Sequence, residues 1–315
     1  MIDPARFVAE AEERLRREVP GRTIVAASGG IDSTVAARLA ADALGERARA
    51  IFVDTGLLRE GEVEATRRHA AEAGVPLTVV DARDRFFGTL QGVTDPEEKR
   101  RRIGAAFIRL FEAEAARFGT DRLVQGTIAP DWIESGGGSR DTIKSHHNVG
   151  GVPKDSGLTL VEPLRDLYKD EVRAVARHLG IPDPDRQPFP GPGLAVRVVG
   201  EVTEERVRRA RVANRIVAEE VDAAVAAGAL PRPWQYFAVL LPVRSVGVLG
   251  DNRVHGEVVS VRIVASSDAM AARAVDPPGD LVRRIAERVT RELPREVVRV
   301  LYDWTDKPPA TIEWE

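Results

Sequence analysis

The stretch IVAASGGIDSTVAARLA, which begins at Ile24, constrains the fold more than any other part of the sequence. An apolar run enters a Ser-Gly-Gly turn and leaves it through Asp-Ser-Thr into an alanine-rich segment with helical spacing. A glycine turn that leads into a helix offers backbone N–H groups and the positive end of the helix dipole to an anion, such as a phosphate. The alternative is an ordinary strand–helix connection in which serine or aspartate caps the helix.

Apolar runs and helical segments alternate through the first half of the chain. We predict strands over residues 22–28, 48–54, 76–82 and 121–127, and helices over 33–45, 60–74, 95–118 and 168–180. This order predicts an α/β fold with a doubly wound parallel sheet that is covered on both faces. Ligands of such sheets bind at the carboxyl ends of the strands. Those ends carry Ser28-Gly-Gly, Asp54-Thr-Gly, Asp81 and Gly126-Thr-Ile.

Two glycine-rich segments divide the chain. The polar segment 129–157 has a length that favours a functional lid over a plain connection. PFPGPG indicates a boundary near Gly193, and a long helix, two strands, a helix and a final strand follow it. We therefore predict one domain over residues 1–193 and a second, α+β domain over residues 194–315.

Composition excludes several classes of protein. A net charge of −3 and an isoelectric point near 6.1 argue against a general nucleic-acid binder. The chain has no cysteine, which excludes disulfides, thiolate metal sites and a cysteine nucleophile within it. No apolar run approaches the roughly 18 residues of a membrane span, and the charged, amphipathic start is unlike a secretory signal. We expect a cytoplasmic protein that binds neither nucleic acid nor a membrane.

The glycine turn also suggests a metal ion. Ser28, Ser33 and Thr34 can donate hydroxyl hydrogen bonds to a phosphate, and the glycines let the backbone come close. Asp32 repels an anion unless a divalent cation stands between them, which suggests Mg²⁺. The turn contains no lysine and is neither of the two familiar glycine-rich phosphate patterns.

The lid and the C-terminal segment hold further candidates. Acidic side chains in the lid could hold a second Mg²⁺ on a polyphosphate, and Lys144 could neutralise developing charge. Simple solvation of a polar loop is the alternative. The end of the sequence, TDKPPATIEWE, combines prolines with Trp314, which suggests a docked segment rather than a frayed one.

The motif SGGIDS resembles the PP-loop of N-type ATP pyrophosphatases, which split ATP between the α and β phosphates. Further segments resemble the synthetase part of GMP synthase: FVDTGLLREGE, QGTIAPDWIES, IKSHHNVGG, EPLRDLYKDEVR, PFPGPGLAVRVVGEV, LPVRSVGVLGDNR and DKPPATIEWE. The resemblance runs from about Gly21 to Glu315. It implies a ligase that uses ATP and Mg²⁺ to adenylate the C2 oxygen of xanthosine 5′-monophosphate (XMP), with loss of pyrophosphate. Ammonia then attacks C2, and AMP departs to give GMP.

Site residues follow from the resemblance, motif by motif. It implies ATP-binding roles for Ser28, Gly29, Gly30, Ile31, Asp32, Ser33, Val53, Asp54 and Thr127. It implies catalytic roles for Asp131, Glu134, Lys144, His146, His147, Lys169 and Asp170, of which Asp170, like Asp32, is expected near Mg²⁺. It implies that XMP contacts Arg100, Gln235, Arg299, Lys307, Ile312 and Glu313.

The resemblance also implies partners. The family's glutaminase uses a cysteine, so a chain without cysteine is expected to take ammonia from solution or from a separate glutamine amidotransferase, as in two-subunit archaeal forms. The C-terminal domain is expected to form a homodimer. The alternatives are another PP-loop ligase such as NAD synthetase, or a non-catalytic paralogue, for which Gln187 in place of the family's usual histidine is one argument. An RNA-thiolating enzyme fits poorly with the acidic charge and the lack of cysteine.

Overall fold

The computed structural model describes residues 2–130, 157–182, 187–266 and 269–315. The chain forms two units. The first comprises Met1–Gly56, Gly61–Thr89 and Arg100–Gly191, and the second comprises Leu57–Glu60, Leu90–Lys99 and Pro192–Glu315. The domain limit after residue 193 stays a prediction, since the second unit also takes two short stretches from the first half of the chain.

The first unit contains most of the strand–helix alternation. Its strands are β1 (Thr23–Ala26), β2 (Ala48–Asp54), β3 (Leu77–Asp81), β4 (Arg122–Val124) and β5 (Thr159–Val161). Its helices are α1 (Pro4–Glu18), α2 (Ile31–Leu44), α3 (Glu62–Glu72), α4 (Arg83–Leu90), α5 (Pro96–Phe118) and α6 (Lys169–His178), with the end of α4 and the start of α5 belonging to the second unit. A 3₁₀ turn, Gly45–Arg47, follows α2.

The five strands form one parallel sheet in the order β3-β2-β1-β4-β5. The predicted α/β fold with a doubly wound parallel sheet is thus confirmed. Helices α1, α2 and α6 pack on one another, and their apolar faces share a core with β1 and β4 that includes Leu15, Leu39 and Val172. Alanines make up much of the buried face of α2, which lets its backbone come close to its neighbours.

The sequence patterns missed three elements of this unit. They mark the start of the chain only as charged and amphipathic, although it forms helix α1. Strand β5 has only three residues, two of them exposed, so it lacks both the length and the apolar continuity of a recognisable buried strand. Helix α4 has eight residues, too few to define a helical period. Strand β5 and helix α4 both lie next to elements that were predicted.

The second unit is an α+β arrangement, as predicted. Its C-terminal part contains a 3₁₀ turn, Gly193–Arg197, followed by α7 (Glu204–Ala226), β6 (Gln235–Leu249), β7 (Asn252–Ala265), β8 (Arg273–Ala274), α8 (Leu281–Glu292) and β9 (Val297–Tyr302). Strand β7 pairs antiparallel with β6 and β8 and parallel with β9. Helix α7 packs on β6 and on α8. Within the described ranges, no helix is long and apolar enough to cross a membrane.

Candidate active site

The loop after β1 lies where the order of the sheet reverses. The chain proceeds from β1 to β2 and β3 on one side and returns to β4 and β5 on the other. A crevice at the carboxyl edge of the sheet forms at such a point, and it is where ligands of open α/β sheets bind. Ala27 continues the β1–β2 pairing by donating from its N–H to the carbonyl of Ile51, at 2.9 Å. The Ser-Gly-Gly turn therefore starts at the centre of this edge.

Glycine is required at position 29 of this loop. Gly29 has a φ of +79°, a conformation that L side chains rarely adopt. A Cβ atom there would lie 2.8 Å from Oγ1 of Thr66, which is on α3. Gly30 then caps α2 with extended backbone and no side-chain hydrogen bond. The first backbone N–H groups of α2 have no carbonyl partner within the helix, as at any helix start, and form an anion-binding end.

The serine hydroxyls brace the loop. Oγ of Ser33 donates to the carbonyl of Gly30 at 2.9 Å. It accepts hydrogen bonds from both the N–H and the hydroxyl of Ser28, each at 3.1 Å. The hydroxyl of Thr34 donates to the same Gly30 carbonyl at 2.9 Å. These contacts fix the turn in shape and leave the helix N–H groups as the donors best suited to an anion.

A second glycine brings the loop after β4 against the start of α2. A Cβ atom on Gly126 would lie 2.7 Å from the carbonyl carbon of Asp32 and 2.8 Å from the amide nitrogen of Ser33. Because these are backbone atoms, only glycine fits. The next residue, Thr127, is 5% exposed, and its Oγ1 has no hydrogen-bond partner among the described residues. Oδ1 of Asp32 is likewise buried without a described partner.

Lys169 faces the first turn of α2. Its Nζ lies 2.6 Å from Oδ2 of Asp32, and both side chains are partly exposed. Lys169 is the first residue of α6, and the exposed Asp170 follows it. The carboxylate of Glu171 accepts a hydrogen bond from the N–H of Tyr168 at 3.0 Å, which fixes the start of the helix. The KDEV motif thus brings a cation to the carboxylate predicted to face Mg²⁺.

The ends of β2 and β3 form a small charged group. Asp54 is paired in register with Asp81, and its Oδ1 accepts from the N–H of Gly56 at 2.9 Å. Nε of Arg83 lies 3.8 Å from Oδ2 of Asp54 and also binds Asp81. Hydrogen bonds from Arg83 lower the pKa of Asp81 to about 2. Val53 is buried in its strand, so it can offer a ligand only its backbone.

Several predicted residues lie outside the described ranges. These are the lid candidates Asp131, Glu134, Lys144, His146 and His147. Their proposed roles stay predictions.

In the second unit, a buried arginine binds the segment that follows β9. Arg262 of β7 has no exposed side-chain surface. Its guanidinium donates to the carbonyls of Thr305, Thr311 and Ile312 at 2.8–2.9 Å. It also pairs with Oδ2 of Asp303 at 2.8 Å. The expectation of a docked C-terminal segment matches these contacts.

A second buried arginine binds Glu313. Arg197 donates from Nε and Nη2 to the two carboxylate oxygens of Glu313, at 3.1 and 2.7 Å. Its Nη1 donates to Oδ1 of Asn214 at 3.0 Å, and its guanidinium stacks on Phe237. Nε2 of Gln235 donates to the same Glu313 carboxylate at 2.9 Å. The structure therefore brings together two of the predicted XMP residues.

The remaining predicted XMP residues are placed separately. Nζ of Lys307 donates to the carbonyl of Ala269 at 2.7 Å, and its backbone pairs with that of Ala272. Arg299 is exposed on β9, where its Nε donates to Oγ of Ser245 at 3.1 Å. Arg100 lies on α5 and belongs to the first unit.

Comparison with known proteins identifies the family. The chain is 56% identical over 318 residues to a subunit of the glutamine-hydrolyzing GMP synthase of Pyrococcus horikoshii, covering 100% of both chains. It is also 56% identical over 319 residues to the subunit of the same name from Methanopyrus kandleri, again over 100% of both. The family model "GMP synthase C terminal domain" matches residues 222–314. The chain belongs to this family of GMP synthase subunits.

Membership of the GMP synthase family confirms the resemblance seen in the motifs and makes this chain a ligase. The two alternatives, an NAD synthetase and a non-catalytic paralogue, gain no support from these relatives. Among solved structures, NH3-dependent NAD synthetase from Campylobacter jejuni is 15% identical, with a TM-score of 0.46 over 58% of this chain and 76% of that one.

The motifs did not indicate three side chains that organise the site. Arg83 is one of many arginines in the sequence, and Arg197 lies in the segment PFPGPGLAVRVVGEV but had no predicted role. Thr66, whose buried Oγ1 faces the turn, falls in a helix that reads as an ordinary amphipathic one. The place of Thr66 in the site follows only from the close approach of Gly29 to α3, which is visible in the structure and not in the sequence.

Proposed function

We propose that this chain synthesises GMP by adenylating the C2 oxygen of XMP with ATP and then replacing AMP with ammonia. The observation that carries the proposal is the Gly29–Gly30 turn, which leads into α2 at the point where the sheet order reverses. The names of the full-length relatives support GMP as the product.

The chemistry gives the turn a specific task. The C2 oxygen attacks the α-phosphorus of ATP, and the bond from that phosphorus to the oxygen bridging to the β phosphate breaks. The electron pair stays on the departing pyrophosphate, where negative charge grows. Backbone N–H groups at residues 31–33 would stabilise that charge without having to reorient. The turn thus holds the leaving group.

Adenylation makes the second step possible. An amide-like oxygen is a poor leaving group, whereas AMP is a good one. Ammonia adds at C2, loses a proton and expels AMP, which gives the amino group of GMP. The loop serves the first step, and the side chains around XMP must hold the purine ring in place for both.

Mg²⁺ would be held at Asp32, with Asp170 as a further candidate ligand. The fit rests on Oδ1 of Asp32, which is buried without a partner among the described residues. A carboxylate oxygen in that state suits a hard cation. In the same ranges no group of three or more acidic or histidine side chains could hold a metal ion. When bound, Mg²⁺ neutralises charge on the phosphates.

Lys169 would exchange partners when ATP binds. Its ammonium pairs with Asp32 in this structure. A phosphate oxygen at the turn offers a second anionic partner to the same cation, since Lys169 is 38% exposed and flexible. We assign Lys169 the role of neutralising the pyrophosphate end of ATP. Val53, Asp54 and Thr127 would border the nucleotide from the neighbouring strand ends.

XMP would bind to the C-terminal segment and the start of β6. The hydrogen bond between Gln235 and Glu313, at 2.9 Å, places an amide and a carboxylate side by side where the purine base would lie. Arg299 and Lys307 would supply positive charge for its phosphate, and Ile312 an apolar contact. The role of Arg100 stays a prediction. The lid residues Asp131, Glu134, Lys144, His146 and His147 would complete the catalytic set.

We further propose a separate glutamine amidotransferase as the ammonia source, a homodimer and a cytoplasmic location. The relatives' names support the first, because each describes one subunit of a glutamine-hydrolyzing enzyme. For the homodimer, β6 carries exposed Val246 and Val248. Gly247 between them faces Val298, so the two valines point to the other side of the sheet. An exposed apolar face of this kind suits a partner.

One assay tests the reaction. Purified chain with ATP, Mg²⁺, XMP and ammonium should form GMP and AMP in equal amounts. The acid form of NAD in place of XMP is the control for the other ligase and should give no AMP. Absence of XMP-dependent ATP consumption would overturn the proposal. Glutamine in place of ammonium should give no GMP, and a positive result there would contradict the separate amidotransferase.

A further inference from the structure

We propose that Arg262 is a positioning residue that sets the affinity for XMP by holding the segment 303–313 in shape. The inference rests on the proposed function, because it takes Lys307, Ile312 and Glu313 as part of the XMP site. The hydrogen bonds of Arg262 go to other groups of the protein, so its side chain would not contact the substrate. The family motifs include the segment but not Arg262, so they assign no role to this residue.

Arg262 binds both ends of the segment at once. Nη1 contacts the beginning, at the carbonyl of Thr305 (2.9 Å) and Oδ2 of Asp303 (2.8 Å). Nε and Nη2 contact the end, at the carbonyls of Ile312 (2.9 Å) and Thr311 (2.8 Å). The planar fork of a guanidinium fixes these groups in one plane and at set spacings. Lys307 lies on the loop that these contacts close.

Because Arg262 is buried, its charge and its N–H groups need partners within the protein. The side chain of Arg262 is fully buried, and that of Asp303 is 11% exposed. A buried guanidinium is tolerated only when its charge and its donors are matched. Asp303 supplies the opposite charge, and the three carbonyls take up further N–H groups. A single lysine ammonium could not reach the same set, so the site requires arginine.

Asp303 also binds Trp314, the residue that follows the segment. Its Oδ2 also accepts from Nε1 of Trp314 at 3.0 Å, and its Oδ1 accepts from the N–H of Thr305 at 2.9 Å. Residues on both sides of Glu313 are therefore fixed. The carboxylate of Glu313 can then meet Arg197 and Gln235 with its backbone already in place.

The predicted consequence is selective. All the contacts described for Arg262 lie in the second unit, whereas the turn assigned to ATP lies in the first. Loosening the segment should lower the affinity for XMP and spare that for ATP. A misplacement of about 1 Å can be costly for an oriented site. A merely structural residue would instead lower stability and reduce the active fraction, with both KM values unchanged.

The test compares R262K with a matched control, R209K. Arg209 is a partly buried arginine of the same unit that binds Glu257 and Glu296, at 2.8 and 2.7 Å, and does not contact the segment. We expect R262K to raise the KM for XMP by about tenfold or more and to leave the KM for ATP within about twofold. R209K should lose thermal stability and keep both KM values. The Kd for XMP from titration calorimetry should follow the KM.

A second variant, D303N, covers the case in which R262K does not fold. It keeps the shape of the side chain, removes the charge opposite Arg262, and should raise the KM for XMP in the same selective way. Equal changes in both KM values, an unchanged KM for XMP, or the same change in R209K would each overturn the inference. Failure of the wild-type chain to consume ATP with XMP would instead overturn the proposed function, so the two failures are distinct.

Discussion

Nζ of Lys169 lies 2.6 Å from Oδ2 of Asp32, which joins the start of α6 to the first turn of α2. An acidic side chain at a helix start suits the helix dipole, but it repels an anionic ligand that binds at the same place. The lysine offsets that conflict, because its charge neutralises the carboxylate. The pair defines the position of the carboxylate before any nucleotide arrives.

Replacing Asp32 should therefore change ATP use. We expect D32N to raise the KM for MgATP by about tenfold or more, because the amide holds a divalent cation poorly and leaves Lys169 without its partner. The matched control is D42N, which removes a carboxylate of the same helix that pairs with Arg38 at 2.6 Å. Steady-state kinetics at several Mg²⁺ concentrations distinguish the two. An unchanged Mg²⁺ requirement in D32N would contradict the assigned role.

Gly126 should be intolerant of any side chain. In G126A the new methyl would meet the backbone of Asp32 and Ser33 at 2.7–2.8 Å, and overpacking against backbone costs about 1–3 kcal/mol. We expect a lower free energy of unfolding in urea together with a loss of ATP-dependent activity. G88A is the control, since nothing lies within 4 Å of a Cβ there and the residue is inside α4. It should be neutral or stabilising by up to about 1 kcal/mol; equal effects in both variants would show that the close approach does not matter.

The sequence predicted the first unit well for a physical reason. Strands such as β2 are buried on both faces, so they appear as continuous apolar runs in the sequence. What could not be predicted are contacts between distant residues. Nothing near Arg262 in the sequence indicates that its guanidinium binds carbonyls 43 to 50 positions away. The same holds for Arg197 and Glu313, whose pairing depends on where the segment folds back.

The second unit should lose stability in acid through Glu220. Although burial raises the pKa of Glu220, hydrogen bonds from Arg288 and Arg284 lower it more, so its folded pKa lies below the ordinary 4.5. A carboxylate with a depressed folded pKa adds stability above the unfolded pKa. That stability is lost as the pH falls below about 4.5 and through the folded value.

We expect E220Q to unfold at lower urea concentration than the wild type at pH 7, and the difference to shrink as the pH is lowered through about 4. Both arginine contacts, each 2.9 Å, lose their charged acceptor in this variant. The control is E287Q, an exposed position on α8, the helix that carries Arg284 and Arg288. A gap between E220Q and the wild type that stays constant with pH would show that the pair does not act through the charge.

Lys99 and Glu315 form an ion pair with almost no exposed surface, 0% and 4% for the two side chains. Lys99 also donates to the carbonyl of Val198 at 2.8 Å, and the N–H of Gly200 donates to the carboxylate of Glu315 at 3.2 Å. Removing one partner takes an opposite charge away from the other buried group. We expect K99M and E315A each to lower the free energy of unfolding by about 3–5 kcal/mol.

The double variant K99M/E315A separates pairing from burial. With both charges gone, the loss should be well below the sum of the two single losses, because the attraction between the two charges is then counted only once. Urea unfolding of the four proteins gives the coupling energy directly. Additive losses would mean that Lys99 and Glu315 act through packing and their backbone contacts. A strong coupling would show that the charge pair itself binds the last residue, Glu315, to the start of α5. The contact of Arg262 with Thr305 lies ten residues earlier in the chain.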